Sequence, residues 1–135
     1  MANLRSSGVS LLTGFALLLS TAAPASAALD HFKCYKAKDL QNPKFVPTTV
    51  SLVDQFANDG NFEVKKPFLF CNPTDKNGEG INNETDHLTC HKIKGPKLDR
   101  NDRPHVQVTD QFGTLQLEAK KPFLLCVPSA KTVLP

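Results

Sequence analysis

The heptapeptide KKPFLFC at residues 65–71 returns almost unchanged as KKPFLLC at residues 120–126. After its two lysines, each copy is a short, continuously apolar run, which favours a strand that is covered on both faces. Proline cannot donate a ladder hydrogen bond, so Pro67 and Pro122 each predict a strand start or a β-bulge. Two equivalent strands are therefore expected, one near the end of each half of the chain.

Matching blocks continue on the N-terminal side of this heptapeptide. His31–Lys38 aligns with His87–Lys94, and Val50–Phe56 aligns with Val106–Phe112. The offset of 56 between these blocks becomes 55 at the heptapeptide, after a one-residue deletion in a turn. The chain therefore carries two diverged copies of one repeat.

Strand periodicity dominates both copies. Val50 and Leu52 alternate with more polar residues, as do Val106 and Val108, which is typical of half-buried strands. No segment after the first 27 residues sustains helical spacing, and ten prolines oppose helices. We predict an all-β fold with about three strands in each repeat.

Each repeat has about 45 residues, too few to bury a self-sufficient core. The two pseudo-symmetric repeats are therefore expected to pack on each other with pseudo-two-fold symmetry, as one small sandwich or barrel-like domain. Two independent units joined by a linker are the rival arrangement.

The N-terminus predicts export. Residues 1–27 contain one basic residue, an apolar stretch and the sequence ASA, so a signal peptide is expected to be cleaved between Ala27 and Ala28. The apolar stretch is shorter than the roughly 20 residues of a transmembrane helix. The remaining chain divides into a first β repeat (28–73), a linker loop (74–86) and a second β repeat (87–135).

The charge of the exported part argues against nucleic-acid binding. Without the leader it has 15 basic and 13 acidic residues, a formal charge of about +2. Basic and acidic residues alternate through most segments rather than clustering.

Four cysteines bracket the repeats at equivalent places. In an exported chain they predict two disulfides that act as structural staples. Four cysteines allow three pairings, and the repeat favours Cys34 with Cys71 and Cys90 with Cys126, because the unit that duplicated needed a usable bond. A metal site is the alternative, since His31, His87 and His91 lie close to cysteines in sequence.

The linker offers a candidate calcium loop. Oxygen-bearing side chains occupy positions 1, 3, 5, 9 and 12 of an EF-hand-like spacing, at Asp75, Asn77, Glu79, Asn83 and Asp86. Position 12 lacks the usual Glu and both flanks are predicted strands, so a solvated linker explains the same residues.

Signals for catalysis are weak. There is no glycine-rich phosphate loop, no zinc-protease motif and no nucleophile elbow in the sequence. Asp54 and Asp110 begin the repeated tripeptide Asp-Gln-Phe, which duplication explains without chemistry. A deep cleft lined by either residue together with a histidine would favour an enzyme of unrecognised type.

The blocks H-[FL]-x-C-[YH]-K-x-K, D-Q-F, K-K-P-F-L-[FL]-C and K-N-G-E-G together resemble an uncharacterised family of exported bacterial proteins. The resemblance covers residues 30–128 and implies an envelope or extracellular location, but no activity. We expect a secreted or periplasmic, non-catalytic binding or structural module with an unidentified extracellular or envelope partner. Calcium or other metal binding is the first alternative and an unrecognised enzyme the second, while no cofactor is expected.

Overall fold

The computed structural model describes residues 29–56 and 59–135. The predicted signal peptide and its cleavage site at Ala27 and Ala28 lie outside the described residues. One long strand, residues 60–74, pairs with three of the other four strands of the main sheet. The strands are, in chain order, β1 (His31–Lys36), β2 (Thr48–Leu52), β3 (Gly60–Thr74), β4 (His87–Lys94), β5 (His105–Asp110), β6 (Gly113–Glu118) and β7 (Leu124–Ser129).

The predicted all-β class is confirmed. Within the described residues the only helical element is a single 3-10 turn at Arg100–Asp102. The main sheet has the order β1-β3-β4-β7, and β2 pairs with the first part of β3. β5 and β6 form a second, two-stranded sheet that packs together with the first.

The two repeats share the main sheet, so they are not independent units. β3 of the first repeat pairs antiparallel with β4 of the second, from Glu63 opposite Lys94 to Cys71 opposite Leu88. β3 corresponds in sequence to β6 and β7, whereas β4 corresponds to β1. Unlike strands therefore meet, and the expected pseudo-two-fold symmetry is wrong: the repeats follow each other head to tail.

Both predicted disulfides are confirmed, Cys34 with Cys71 and Cys90 with Cys126. In each pair the two cysteines are direct cross-strand partners, between β1 and β3 and between β4 and β7. The sulfurs of Cys71 and Cys90 lie 4.0 Å apart. The two bridges thus form one row across the four strands, which steps by two residues between β3 and β4 because Cys71 lies opposite Leu88.

The core is small and has two parts, the two central cysteines of this row and a cluster at the β2 end of β3. Cys71 and Cys90 are 1% and 2% exposed, and Phe62, Val64 and Leu98 are also buried. Phe62 lies against Gly95, where an added Cβ would approach its Cδ1 to 2.5 Å. Each bridge closes a loop of nearly 40 residues, which in a chain-entropy treatment contributes about 3 to 4 kcal/mol. For so small a core, the disulfides supply a large share of the stability.

The two prolines behave as the sequence predicts. Pro67 lies inside β3 at a bulge, where the register with β4 shifts on both sides of it. Pro122 precedes β7. The expectation that both runs are covered on both faces is wrong, because the middle of β3 is half-buried and Phe123 is half exposed.

Candidate functional site

A cleft lies where the two repeats meet. Its volume is about 360 Å³, within the range of small-molecule sites. The first repeat contributes the β2–β3 turn and Phe62, and the second contributes the end of β4, the following loop and the approach to β7. The lining residues are Leu52, Val53, Asp54, Phe56, Asp59, Phe62, Ile93, Leu98, Ala119, Lys121, Pro122, Leu124 and Leu125.

The acidic residues at the cleft are engaged in the turn that forms its wall. The backbone N–H of Phe56 donates to Asp54 Oδ1 at 2.8 Å. The backbone N–H of Asp54 donates in turn to Asp59 Oδ1 at 3.1 Å. Each bond satisfies a backbone donor that no strand partner reaches. These carboxylates therefore shape the wall of the cleft.

The second Asp-Gln-Phe tripeptide makes the same local hydrogen bond in a shorter connection, because Asp110 lies opposite Gly113. The backbone N–H of Phe112 donates to Asp110 Oδ1 at 2.8 Å, and Gly113 continues the turn with φ +131°. This tripeptide connects β5 to β6, and the Phe112 side chain is exposed. The repeated tripeptide is thus a turn signal in both copies, as duplication suggested.

The floor of the cleft is apolar. Phe62 and Leu98 are buried beneath it, and Ile93, Pro122 and Leu124 complete it. None of the described residues that line the cleft is a histidine, serine, threonine or cysteine. The lining therefore suits an apolar group near a single amine, that of Lys121.

A second cluster fixes the linker loop between the repeats. Asp30 accepts the backbone N–H groups of Asn82 at 2.6 Å and Asn83 at 2.8 Å. These two bonds, with Asn82 the larger cause, hold the pKa of Asp30 below its ordinary value. The loop is thus tied to the segment that enters β1, although sequence reasoning did not single out Asp30.

Glu79 joins three segments at the surface. Its Oε2 accepts the side-chain N–H of Gln111 at 3.1 Å and lies 3.1 Å from His31 Nε2. Lys76 Nζ lies 3.6 Å from its Oε1. The bonds from Gln111 first and His31 second lower the pKa of Glu79. Gln111 lies in the β5–β6 turn, so Glu79 links that turn to the linker loop and β1.

Two residues of the candidate calcium loop, Glu79 and Asn83, have separate hydrogen-bond partners. Glu79 contacts His31 and Gln111 as above, and Asn83 Oδ1 accepts the Thr85 hydroxyl at 2.7 Å. Asn77 adopts φ +55° in a turn. Asp75 and Asp86 begin and end the segment between β3 and β4. Among the described residues no group of three or more His, Cys, Asp or Glu could hold a metal ion, and calcium binding stays a prediction.

The histidines near the cysteines have structural partners. His91 Nδ1 lies 2.7 Å from the backbone oxygen of Lys65, at the bulge of β3, and its ring packs 5.0 Å from Phe45. His87 stacks on Phe70. Because all four cysteines are in disulfides, they offer no thiolate for the alternative metal site.

The part of the chain that the structure describes contains no helix long and apolar enough to cross a membrane.

Comparison with known proteins identifies a repeat but no activity. A family model described as a repeat of unknown function (DUF7450) matches residues 11–128. No curated protein and no solved structure matches the chain.

Proposed function

The chain belongs to this family of repeats of unknown function, and we propose that it is a secreted or periplasmic module that binds an apolar group without catalysis. The binding site is the cleft between its repeats. The observation that carries the proposal is the apolar lining of this cleft, in which both acidic residues hold backbone amides. A ligand would gain from burial of apolar surface, at roughly 25 cal/mol per Å².

The disulfides and the leader support the exported location in this proposal. Two disulfides are compatible with an oxidising compartment. Their position at the centre of the sheet makes the fold depend on that compartment, because the core around them is small. The leader at residues 1–27 is the sequence feature that would bring the chain there.

Among the described residues of the cleft lining there is no histidine, which bears on the enzyme alternative. Asp54 lines the cleft, but its Oδ1 is occupied by the Phe56 amide. Asp110 is instead the last residue of β5. An acid–base pair of the kind that the sequence left open therefore does not meet in this cleft.

The fluorescent dye 1-anilinonaphthalene-8-sulfonate, which joins apolar rings to one sulfonate, tests the proposal, because its fluorescence rises on transfer to an apolar site. Val53 lines the cleft and its side chain is exposed, as is that of Val133 outside the cleft. Val53→Asp is expected to weaken dye binding at least tenfold, since it places a charge in the site. The matched control Val133→Asp should bind like the unsubstituted chain.

Equal binding by both variants would contradict the cleft as the site. A hydrolytic or redox activity in a broad substrate screen, abolished by one substitution, would contradict the non-catalytic assignment. Both variants change exposed positions, so the disulfides and melting temperature should stay unchanged and serve as folding controls.

A further inference from the structure

The two edge strands of the main sheet are equivalent to the two strands that meet at the junction between the repeats. Inside the chain, β3 pairs with β4. The second repeat's equivalent of the C-terminal part of β3 is β7, and the first repeat's equivalent of β4 is β1. β1 and β7 are the two ends of the path β1-β3-β4-β7. Within residues 29–56 and 59–135, neither has a second strand partner.

The free edge of β1 presents hydrogen-bonding groups. Phe32 lies opposite Pro73 in β3, and proline has no N–H to donate. This pair is therefore a non-hydrogen-bonded one, so the N–H and C=O of Phe32 face away from β3. By the alternation of antiparallel strands, Cys34 faces the same free edge.

The free edge of β7 is arranged in the same way. Leu88 lies opposite Pro128, so this is again a non-hydrogen-bonded pair. The backbone groups of Cys126 and Leu124 therefore face away from β4. In β3 the equivalent residues Cys71 and Leu69 face β4 and pair with Leu88 and Cys90.

We propose that β7 of one molecule pairs with β1 of a second copy of this chain, repeating the β3–β4 junction between molecules. The repeat alignment fixes the register: Leu124 lies opposite Cys34 of the next copy, and Cys126 lies opposite Phe32 of the next copy. All four residues have an N–H. Pro128 lies past the last pair of this ladder, as Pro73 lies past the pair of Cys71 and Leu88.

The cysteine row shows what the junction would cover. Cys71 and Cys90, at the internal junction, are buried with their sulfurs 4.0 Å apart. Their equivalents Cys126 and Cys34 are exposed at the two ends of the row. Pairing β7 with β1 of the next copy buries these two cysteines against each other and continues the row.

Side chains beside the junction also have equivalents on the free edges. Lys92 Nζ lies 4.2 Å from the centre of the Phe68 ring. The equivalent residues are Lys36 in β1 and Phe123 before β7, and the Phe123 ring is half exposed. β7 carries no charged residue, so the basic residues of β1 meet no like charge there. An uncharged, apolar edge strand is a ready template for strand addition.

Such a junction is heterologous, because different surfaces of the two copies meet. Each added copy leaves one free β7 edge and one free β1 edge, so the assembly does not close at two molecules. The oxidised chain is therefore expected to form an open series of oligomers. This self-association goes beyond ligand binding in the cleft, and the two share one residue, Leu124, whose side chain lines the cleft.

Sedimentation velocity of the exported, oxidised protein over a wide concentration range tests the proposal. The weight-average mass should rise through dimer, trimer and larger species. Phe32→Pro removes one outward N–H that β3 does not use, so the chain should fold and associate at least tenfold more weakly. Phe32→Ala removes the ring but keeps the N–H, and it should still associate. Leu124→Pro tests the opposite edge, with Leu124→Ala as its control.

A mixing experiment tests the polarity of the junction. Phe32→Pro keeps a normal β7 edge, so adding it to the unsubstituted protein should shorten the oligomers by ending them. The double variant Phe32→Pro, Leu124→Pro has neither edge and should leave the oligomers unchanged. Intact mass without reduction confirms that each variant has both disulfides.

Two results would overturn the proposal. One is a monomer at every concentration for the unsubstituted protein, which would leave dye binding in the cleft untouched. The other is a dimer that does not grow further and that survives Phe32→Pro and Leu124→Pro.

Discussion

The two copies of the KKPFLxC heptapeptide adopt different structures. In the first repeat, residues 65–71 lie inside the continuous strand β3 (Gly60–Thr74), whereas in the second the strand stops at Glu118 and resumes only at Leu124. β3 has β1 and β2 on one side and β4 on the other, each along part of its length, but β7 pairs only with β4. Nearly identical local sequence thus gives a strand or a break according to whether a neighbour satisfies its backbone.

The same difference determines where the two equivalent hairpins, β2–β3 and β5–β6, lie in the fold. β2 stays on the main sheet because it pairs with the first part of β3. Its counterpart β5 pairs with β6, which the break separates from β7. The break therefore converts the second hairpin into a separate two-stranded sheet, and the cleft forms beside the chain that crosses this gap, at Ala119, Lys121 and Pro122.

Removing either disulfide is expected to give one of the two largest losses of stability, together with the loss of the Phe62 ring. Replacing Cys34 and Cys71 by serine, or Cys90 and Cys126 by serine, should each lower the free energy of unfolding by about 2 to 5 kcal/mol. The sequence separations are 37 and 36, so the two losses should be similar. Urea unfolding measures them. If only one of the two replacements lowers the free energy of unfolding, the bridges, and not only the strand pairing, differ between the repeats.

Equivalent apolar positions in the two repeats should differ strongly in their contribution to stability. Phe62 is 3% exposed, whereas its counterpart Leu117 is 47% exposed. Phe62→Ala is expected to cost about 3 to 5 kcal/mol, because it leaves a cavity in the small core. Leu117→Ala should cost less than about 1 kcal/mol, since its side chain already contacts water. Similar costs in thermal unfolding would contradict the difference between the hairpins.

Overpacking the core beside Phe62 should lower the stability less than the cavity left by Phe62→Ala. An added methyl at Gly95 would collide with the Phe62 ring, so Gly95→Ala should destabilise by about 1 to 3 kcal/mol. The neighbouring exposed residue provides a control in Lys94→Ala. Gly95→Ala combined with Phe62→Leu should recover part of the loss in melting temperature, while an unchanged loss would place the strain elsewhere.

Much of this fold could be predicted from the sequence, because the relevant signals are local or duplicated. Alternating residues in β2 and β5 and the pairing of equivalent cysteines both follow from the repeat. The head-to-tail order could not be predicted, since β3 and β4 are joined by a loop whose sequence does not specify which strands pair.

The candidate site was harder to predict. Asp54 was singled out, but the cleft depends on the break before β7 and on Phe62 packing against Gly95, neither of which is a local pattern. Asp30 and Gln111 were missed because their partners lie in the linker loop, about 50 and 30 positions away along the chain.

The linker loop provides a test of the calcium prediction. Asp30 holds two backbone amides, so Asp30→Ala should speed amide exchange of Asn82 and Asn83, whereas Asp75→Ala should not. If protein groups alone fix the loop, added calcium should not change the amide exchange rates of Asn82 and Asn83. Calorimetry that detects calcium binding to the unsubstituted chain, lost in Asp75→Ala, would instead support the calcium site.

The smallest expected effect concerns pH. The pKa of Glu79 is lowered in the folded chain, chiefly by the Gln111 bond. Its contribution to stability is therefore full above the unfolded-state pKa and is lost as the pH falls through the lower folded-state pKa. Glu79→Gln should remove this acid-side dependence and change little near neutral pH. Melting temperatures of both proteins across the acid range measure it, and parallel curves would contradict a role for Glu79.

Hydrogen exchange on the dilute, oxidised protein tests most directly whether a neighbouring strand decides the structure of each heptapeptide. Leu69 and Cys71 direct their amides to β4, whereas the equivalent Leu124 and Cys126 direct theirs to the free edge. We expect the β3 amides to exchange at least about a hundredfold more slowly than their β7 equivalents. Equal protection of the two sets in the monomer would contradict the head-to-tail sheet.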